Sequence, residues 1–317
     1  MHITVWGWIG FNLFILFLLA LDLGVFHRKS HAISTKEAAL WTVAWISMAM
    51  IFNAGIYYFA GPTAGLQFLT GYLLEKSLSV DNIFVFVLLF GLFAVPPAYQ
   101  HRLLFWGVLG ALIMRGALIG VGAYLISQFH WILYLFGIFL VFTGVRLFFQ
   151  KDDETVEPEK NPLVRALRRI MPVTSSYRGQ SFFVREGGKL AATPLFVVLL
   201  IVETTDLLFA FDSIPAIFAV TQDAFIVYTS NVFAILGLRS LYFLLASVMG
   251  KFRFLKLGLS GILIFIGVKM LVMDIYHVPI TLSLGVIAFI LTLAVLASIL
   301  IPVKEAEVAP SVVRIDP

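Results

Sequence analysis

Five carboxylate residues stand inside long apolar stretches of this sequence. The stretch "GYLLEKSLSVDNIFVF" contains Glu75 and Asp81, and the stretch "IVETTDLLFAFDSIP" contains Glu203, Asp206 and Asp212. An aspartate at the centre of a bilayer opposes insertion by about 2.5–3.5 kcal/mol, so basic residues, protons or a bound cation must compensate these groups. Carboxylates are hard ligands, and the residue types therefore indicate an oxygen-coordinated ion such as Mg²⁺, Ca²⁺ or Mn²⁺.

Other polar residues accompany the acids. Asn82 and Ser213 each follow an aspartate directly, and we take them as additional oxygen ligands. Arg115 and Arg239 also stand mid-span, and we predict that they pair with the acids when no ion is bound; Lys76 is a further source of positive charge. Two arginines cannot balance five carboxylates, which leaves negative charge for a cation or for protons. Purely structural ion pairs are the alternative interpretation.

The helices that carry the acids must turn them toward one site. Glu203 and Asp206 are three residues apart, so they share one helix face. Pro215 lacks an N–H and predicts a break that would turn Asp212 toward the same site. In the first stretch, Gly71 is the nearest residue that favours a break.

The composition predicts an all-α polytopic membrane protein. Of the 317 residues, 61% are hydrophobic and 13% are charged, whereas a soluble domain carries roughly 25% charge. The chain has no cysteine, which excludes disulfides, thiolate metal sites and thiol redox chemistry. Apolar runs of the length of a membrane-spanning helix predict nine transmembrane helices, at about 3–26, 39–60, 66–93, 102–127, 131–150, 193–220, 225–249, 254–274 and 278–302.

The connections between these spans predict the orientation. Lys and Arg are confined to alternate connections, so the positive-inside rule places the N-terminus outside and the C-terminus in the cytoplasm. The longest connection, 151–192, is then cytoplasmic. Within it, "NPLVRALRRIMPV" predicts a short basic helix on the lipid headgroups or an ordinary linker, and "FFVREGGKLAATP" predicts a hairpin that turns at Gly187–Gly188.

Weak internal similarity divides the chain. "FLVFTGVRLF" matches "ILIFIGVKML", and "SVDNIFVF" parallels "AFDSIPAIF". The two predicted copies are 63–150 and 193–276, and they cross the membrane in opposite directions, as inverted repeats of secondary transporters do. Segment 1–62 supplies two helices before the repeats, 151–192 is the linker, and 277–317 is the last helix with its tail. The register aligns Glu75 with Asp206, Asp81 with Asp212, and Arg115 with Arg239.

Three motifs carry a resemblance to a known family. "LTGYLLEKSLSVDNIFVF", "ETTDLLFAFDSIPAIFAVT" and "SNVFAILGLRSLYFLLA" resemble the TerC family, with a match over essentially the whole chain that is closest to the Alx branch. That family belongs with the LysE-type transporters, and the resemblance implies export of Mn²⁺ from the cytoplasm across the bacterial inner (plasma) membrane. The acidic positions of the family fall on the five carboxylates above. The family is also named for tellurium resistance, and Alx-type members are labelled redox modulators.

The expected function is therefore a secondary transporter, not an enzyme. No nucleotide site, nucleophile with its base, or P-loop is present in the sequence. We expect a divalent metal ion as substrate and the lipid bilayer as surroundings. We expect no cofactor and no nucleic acid partner. The sequence does not predict the oligomeric state. Two alternatives stay open. One is a Ca²⁺ transporter of the same architecture, and the other is an assembly partner or member of a tellurium or alkaline-stress complex, in which the acids are structural.

Overall fold

The computed structural model describes residues 4–24, 35–129, 131–149, 162–186, 188–246, 254–276 and 278–301. The side chains of 21–24, 81, 84, 88, 162, 163 and 255 lie outside this description. The acidic start of the predicted linker and the predicted C-terminal tail also lie outside it.

The described chain is almost entirely helical. The elements in chain order are α1 Val5–Gly24, α2 Thr35–Ala60, α3 Pro62–Leu92, α4 Pro97–Gln128, α5 Ile132–Phe149, α6 Pro162–Ile170, β1 Phe183–Glu186, β2 Lys189–Ala192, α7 Pro194–Phe218, α8 Ala224–Leu236, α9 Leu238–Ala246, α10 Leu255–Leu271 and α11 Ile280–Leu300.

Helices coincide in position with the predicted spans, and they confirm a polytopic membrane architecture. Within the described residues, α2, α4, α5, α7 and α11 are long and apolar enough to cross a membrane, and α8 with α9 forms a sixth, bent candidate. Helix α3 carries three charged residues, and α10 has only 17 residues. The count of nine crossings therefore stays a prediction.

The long helices pack around two apolar clusters. The larger cluster takes residues from α1 to α4 and from α7 to α9, with Phe68 and Phe233 at its centre. The second cluster joins α5, α10 and α11 to α4 and α7, and it includes Leu140 and Ile262. Because α4 and α7 contribute to both clusters, polar groups between these two helices are shielded on both sides.

Helices α5 and α10 approach each other closely and run antiparallel. A Cβ atom on Gly144 would lie 3.0 Å from the carbonyl oxygen of Ser260, and one on Gly267 would lie 2.7 Å from that of Gly137. The Ser260 hydroxyl donates a 2.7 Å hydrogen bond to the Gly144 carbonyl. Gly137 and Ser260 are as far apart in the sequence as Gly144 and Gly267. If α5 and α10 changed places, the contact of Gly144 with Ser260 would therefore become the contact of Gly267 with Gly137.

The helix breaks are not where the sequence predicted them. Helix α7 runs through Pro215 and ends at Phe218. A proline removes one helical hydrogen bond, but residues 213–218 are all buried, and their packing keeps this turn helical. Helix α3 continues through Gly71, where a Cβ would lie 2.7 Å from the Ser230 hydroxyl oxygen. That glycine therefore serves close packing of α3 against α8.

The observed break lies between α8 and α9, at Gly237, where the two helices are inclined by 42°. The Lys76 ammonium donates a 3.1 Å hydrogen bond to the carbonyl of Ala234 in the last turn of α8. A positive charge near a helix C-terminus is favourable because the carbonyl dipoles point toward it. Lys76 therefore binds the end of the broken helix, a contact that the sequence did not predict.

The segment between α6 and α7 packs on the turn that joins α3 to α4. The predicted hairpin is confirmed, because β1 and β2 pair antiparallel. Before it, the Tyr177 hydroxyl donates a 2.7 Å hydrogen bond to the Phe93 carbonyl, and the guanidinium of Arg102 lies 5.0 Å from the ring centre of Phe182. These contacts attach the segment to the end of α3 and to the first turns of α4.

Helix α6 is short and strongly basic on one side. Val164 is buried, Leu167 is half-buried against the larger cluster, and Ile170 is 80% exposed. Arg165 and Arg169 are also exposed. The apolar face that the sequence predicted is therefore only partly turned inward.

Candidate cation site

Arg115 of α4 occupies the centre of the polar cluster. Its side chain is only 1% exposed. Nε and Nη2 donate hydrogen bonds of 3.1 and 2.9 Å to the two carboxylate oxygens of Asp206 on α7, and Nη1 donates to Glu75 on α3. A bidentate guanidinium–carboxylate pair fixes both distance and plane, so this arginine holds three helices together in the interior.

Neutral side chains complete the hydrogen bonding of the two acids. The amide nitrogen of Asn82 donates to Asp206 at 3.2 Å, and the amide nitrogen of Asn231 donates to Glu75 at 2.9 Å. The Ser79 hydroxyl also donates to Glu75, at 3.2 Å. Glu75 and Asp206 are 0% and 2% exposed, so these donors replace the water that an ionised carboxylate requires.

The contacts between α3 and α7 also correspond to each other, although less closely than those between α5 and α10. Asn82 lies against Asp206, and Ser213 accepts a 3.2 Å hydrogen bond from the same Arg115 nitrogen that donates to Glu75. The predicted register equates Glu75 with Asp206 and Asn82 with Ser213. Each acid therefore lies near the neutral residue of the opposite helix, and the two helices run antiparallel.

A cavity of about 50 Å³ borders this cluster. Its lining residues include Glu75, Asn82, Arg115, Asp212 and Ser213. Liquid water occupies about 30 Å³ per molecule, so the space suffices for a small ion or a water molecule. Asp212 therefore lines the same cavity as Glu75 without a break at Pro215.

Thr143 and Arg146 of α5 interact with Asp212, the former through a side-chain hydrogen bond and the latter through its charge. Because Arg146 is exposed and lies in the last turn of α5, the Asp212 end of the cavity faces the less buried side of the cluster.

Glu203 occupies a separate position on the same face of α7 as Asp206. Its carboxylate lies so close to Gly110 of α4 that a Cβ on this glycine would overlap it. Oε2 of Glu203 is buried and has no hydrogen-bond partner. The shared helix face that the sequence predicts is thus observed, but of Glu203 and Asp206 it is Asp206 that pairs with Arg115.

The other predicted site residues are described only in part. Asp81 belongs to α3, and its side chain lies outside the described residues. Arg239 lies in α9, directly after the break at Gly237, and is 6% exposed. Among the side chains that the structure describes, no three His, Asp or Glu residues are grouped so that they would hold a metal ion.

Asn231, like Ser79, is a site residue that was not predicted from the sequence. It lies in α8, is 1% exposed and contacts Glu75 directly. The sequence feature that could have indicated this residue is an asparagine within the apolar run "SNVFAILGL". A mid-span polar side chain needs a partner inside the bundle, but the predicted repeat provides no polar counterpart for it.

Comparison with known proteins identifies the family. The sequence profile described as "Integral membrane protein TerC family" matches residues 60–306. The chain belongs to the TerC family. It is 52% identical to the "Uncharacterized membrane protein STKORF319" of Myxococcus xanthus, over 96% of each chain. It is 51% identical to the "Putative membrane-bound redox modulator Alx" of Escherichia coli (strain K12), over 91% of this chain and 92% of that protein. No solved structure matches the chain.

The family and the apolar helices together establish the surroundings of the cluster. The TerC profile describes integral membrane proteins, and a third relative, 42% identical over 93% of this chain, is an "Uncharacterized membrane protein" of Rickettsia bellii. The chain is a multi-pass protein of the bacterial inner membrane. The acids and Arg115 thus belong to a membrane-embedded TerC protein.

Proposed function

We propose that this protein is a secondary transporter that exports a divalent metal cation, with Mn²⁺ as the substrate, from the cytoplasm. The carrying observation is that Glu75 and Asp206, one from each predicted repeat, are fully buried and share the guanidinium of Arg115. An acid pair at the interface of two repeats is where a transporter binds its ion. The cluster is not an enzyme active site in this proposal, and it needs no cofactor.

The reciprocal contacts support the inverted-repeat architecture. In both α3–α7 and α5–α10, corresponding helices run antiparallel. The α5–α10 approaches map onto themselves under the predicted register, and in α3–α7 each acid lies near the neutral residue of the opposite helix. A two-fold axis in the membrane plane would produce this pattern. We therefore propose repeats at 63–150 and 193–276 joined by 151–192, flanked by 1–62 and 277–317, with nine spans, the N-terminus outside and the C-terminus in the cytoplasm.

The ion would bind to oxygen atoms only. The proposed carboxylate ligands are Glu75, Asp81, Glu203, Asp206 and Asp212, and the neutral ligands are Asn82 and Ser213. Oxygen ligands suit Mn²⁺, and they also suit Ca²⁺, which is the alternative substrate. Ligands must lose protons to bind a metal, so proton exchange is the proposed coupling.

Arg115 compensates the acids when no ion is bound. Because its positive charge lies between Glu75 and Asp206, an arriving divalent cation must displace it before both acids become ligands. We propose the same role for Arg239. During binding and release, the acids would thus pair in turn with the metal ion and with the guanidinium of Arg115. Among the described residues, no three acids are grouped. This arrangement corresponds to the state of the transport cycle in which Arg115, and not the metal ion, pairs with the acids.

Flux measurements in proteoliposomes test the transport function. We expect Mn²⁺ flux in the wild type and a loss of that flux in Asp206→Asn, with Ca²⁺ flux measured in parallel. Glu186→Gln is the matched control, because Glu186 forms an exposed ion pair with Arg178. Absence of flux of either ion in well-folded wild-type protein would rule out the transporter. Flux that survives in Asp206→Asn and in Asp81→Asn would rule out only the site.

A second function is favoured by the same ion pair. Arg115 satisfies Glu75 and Asp206 without a metal ion, as a purely structural network would. In that case the protein is an assembly partner or a component of a tellurium or alkaline-stress complex, and the exposed basic face of α6 is its docking surface. Thiol redox chemistry of its own is not available to the chain, because it contains no cysteine. This function predicts stable folding that depends on Arg115 and no ion flux.

A further inference from the structure

The two asparagines beside the acids each retain an unused oxygen atom. Oδ1 of Asn82 and Oδ1 of Asn231 are buried and have no hydrogen-bond partner, and both residues are 1% exposed. More than nine in ten buried polar groups in proteins have a partner. An acceptor without one costs about 1–3 kcal/mol. The two oxygens beside one acid pair are therefore each available to accept a hydrogen bond or to coordinate a cation.

The orientation of each amide follows from its neighbour. An ionised carboxylate accepts hydrogen bonds and cannot donate them, so the NH₂ group of each amide must face it. For Asn231 this places the nitrogen 2.9 Å from Glu75 and leaves the oxygen as the unused atom. Exchanging oxygen and nitrogen would set two acceptors against each other, which excludes the opposite assignment.

The chemistry of the free oxygen suits a hard cation. Amide carbonyl oxygens are regular ligands of Ca²⁺ and of other divalent ions that prefer oxygen. Asn231 comes from α8, whereas Glu75 belongs to α3 and Arg115 to α4. A ligand from this position would add a helix from outside the α3–α7 pair to the site.

We propose that Asn231 supplies, through Oδ1, a neutral oxygen ligand to the divalent cation that Glu75 binds. This inference rests on the proposed cation site and names a further residue of it. Asn231 holds Glu75 by its amide nitrogen in the arginine-paired state, and it binds the cation by its amide oxygen once Arg115 has been displaced. Its role is to favour oxygen-seeking ions over sulfur-seeking ones.

A cysteine substitution tests the ligand role directly, because the natural chain contains no cysteine. In Asn231→Cys, a thiolate replaces the amide oxygen, and Cd²⁺ should inhibit Mn²⁺ flux at about tenfold lower concentration than in the wild type, since soft ligands select soft ions. The matched control is Thr229→Cys. Thr229 is also fully buried in α8, and its hydroxyl bonds only to carbonyls of its own helix.

Cadmium binding to purified protein provides a second measurement that does not need transport. The thiolate–Cd²⁺ absorption band should appear in Asn231→Cys, should be absent from the wild type, and should weaken when Glu75→Gln is added. If Asn231→Cys and Thr229→Cys bind Cd²⁺ and respond to it alike, the ligand role is wrong and Asn231 only positions Glu75. If the wild type carries no Mn²⁺ but Asn231→Cys binds Cd²⁺ in a manner dependent on Glu75, transport fails as the function while the cation site stands.

Discussion

Replacing Arg115 by methionine would remove the positive charge that lies between Glu75 and Asp206. Methionine keeps an unbranched apolar side chain in place of the arginine stem but is shorter and offers no donor, so two carboxylates would remain in the interior without the guanidinium. Arg115 makes ion pairs with both acids and also donates to Ser213. The substitution therefore tests whether this one side chain holds α3, α4 and α7 together.

The magnitude follows from burial. Removing one partner of a buried ion pair costs about 3–5 kcal/mol, because the other charge stays buried without compensation. Two acids lose their partner here, so we expect a decrease in the free energy of unfolding near the upper end of that range. The control is Arg178→Met, which breaks the 3.0 Å pair with Glu186. Those side chains are 55% and 56% exposed, and such pairs contribute about 0–1 kcal/mol.

Unfolding of purified protein in detergent, followed by the fluorescence of its six tryptophans, measures the difference. Mn²⁺ should restore more stability to Arg115→Met than it adds to the wild type, because the ion no longer has to displace a guanidinium. At one hundred times the dissociation constant, the gain from a bound ligand is about 2.7 kcal/mol. Equal stability of Arg115→Met and Arg178→Met would refute the structural role of the pair. Equal stabilisation by Mn²⁺ of wild type and Arg115→Met would refute competition between arginine and metal.

Three further predictions concern packing and the segment outside the membrane. Gly110→Ala should lower the free energy of unfolding by about 1–3 kcal/mol through overpacking, because the new Cβ overlaps the carboxylate beside it. Gly267→Ala should lower it by about the same amount, since its Cβ would lie 2.7 Å from a backbone oxygen of α5. For Tyr177, burial raises the pKa to about 12 from its usual 10.0. The stabilisation that Tyr177 provides should therefore be complete below pH 10.0 and should be lost as the pH rises toward 12.

Each of these predictions has a control in the same part of the chain. Gly120→Ala in α4 and Gly261→Ala in α10 add a Cβ to open space, and both should leave the free energy of unfolding unchanged or raise it. Tyr177→Phe should flatten the alkaline loss of stability. The packing argument is wrong if the paired alanine variants unfold alike, and the Tyr177 argument is wrong if Tyr177→Phe keeps the same pH dependence between 10.0 and 12.

The sequence predicted the helices well because their signal is continuous and long. Apolar runs of membrane-spanning length leave little choice of secondary structure, and the observed bounds lie close to the predicted ones. The hairpin could also be predicted from the sequence, because two adjacent glycines indicate its turn. Pairing of Arg115 with acids followed from charge balance alone, although the sequence did not indicate which acids it contacts.

What the sequence could not predict depends on neighbours that are distant along the chain. Gly71 and Gly237 carry the same local preference, yet the first lies in a continuous helix packed on α8 and the second lies at a bend. Pro215 favours a break, but close packing of the last turns of α7 keeps them helical. The role of Asn231 arises only from its approach to Glu75, more than one hundred and fifty residues away along the chain.

The proposed repeats give the contact between α5 and α10 a bearing on descent. In an association of two identical chains about a two-fold axis, one residue type must serve both equivalent positions. In the register of the proposed repeats, Gly137 corresponds to Ser260, and only the serine adds a hydrogen bond to the opposite backbone. Covalent linkage of two such repeats would permit this difference, because each copy could change without altering the other. A difference such as that between Gly137 and Ser260 is expected when the two copies of a duplicated unit have changed independently.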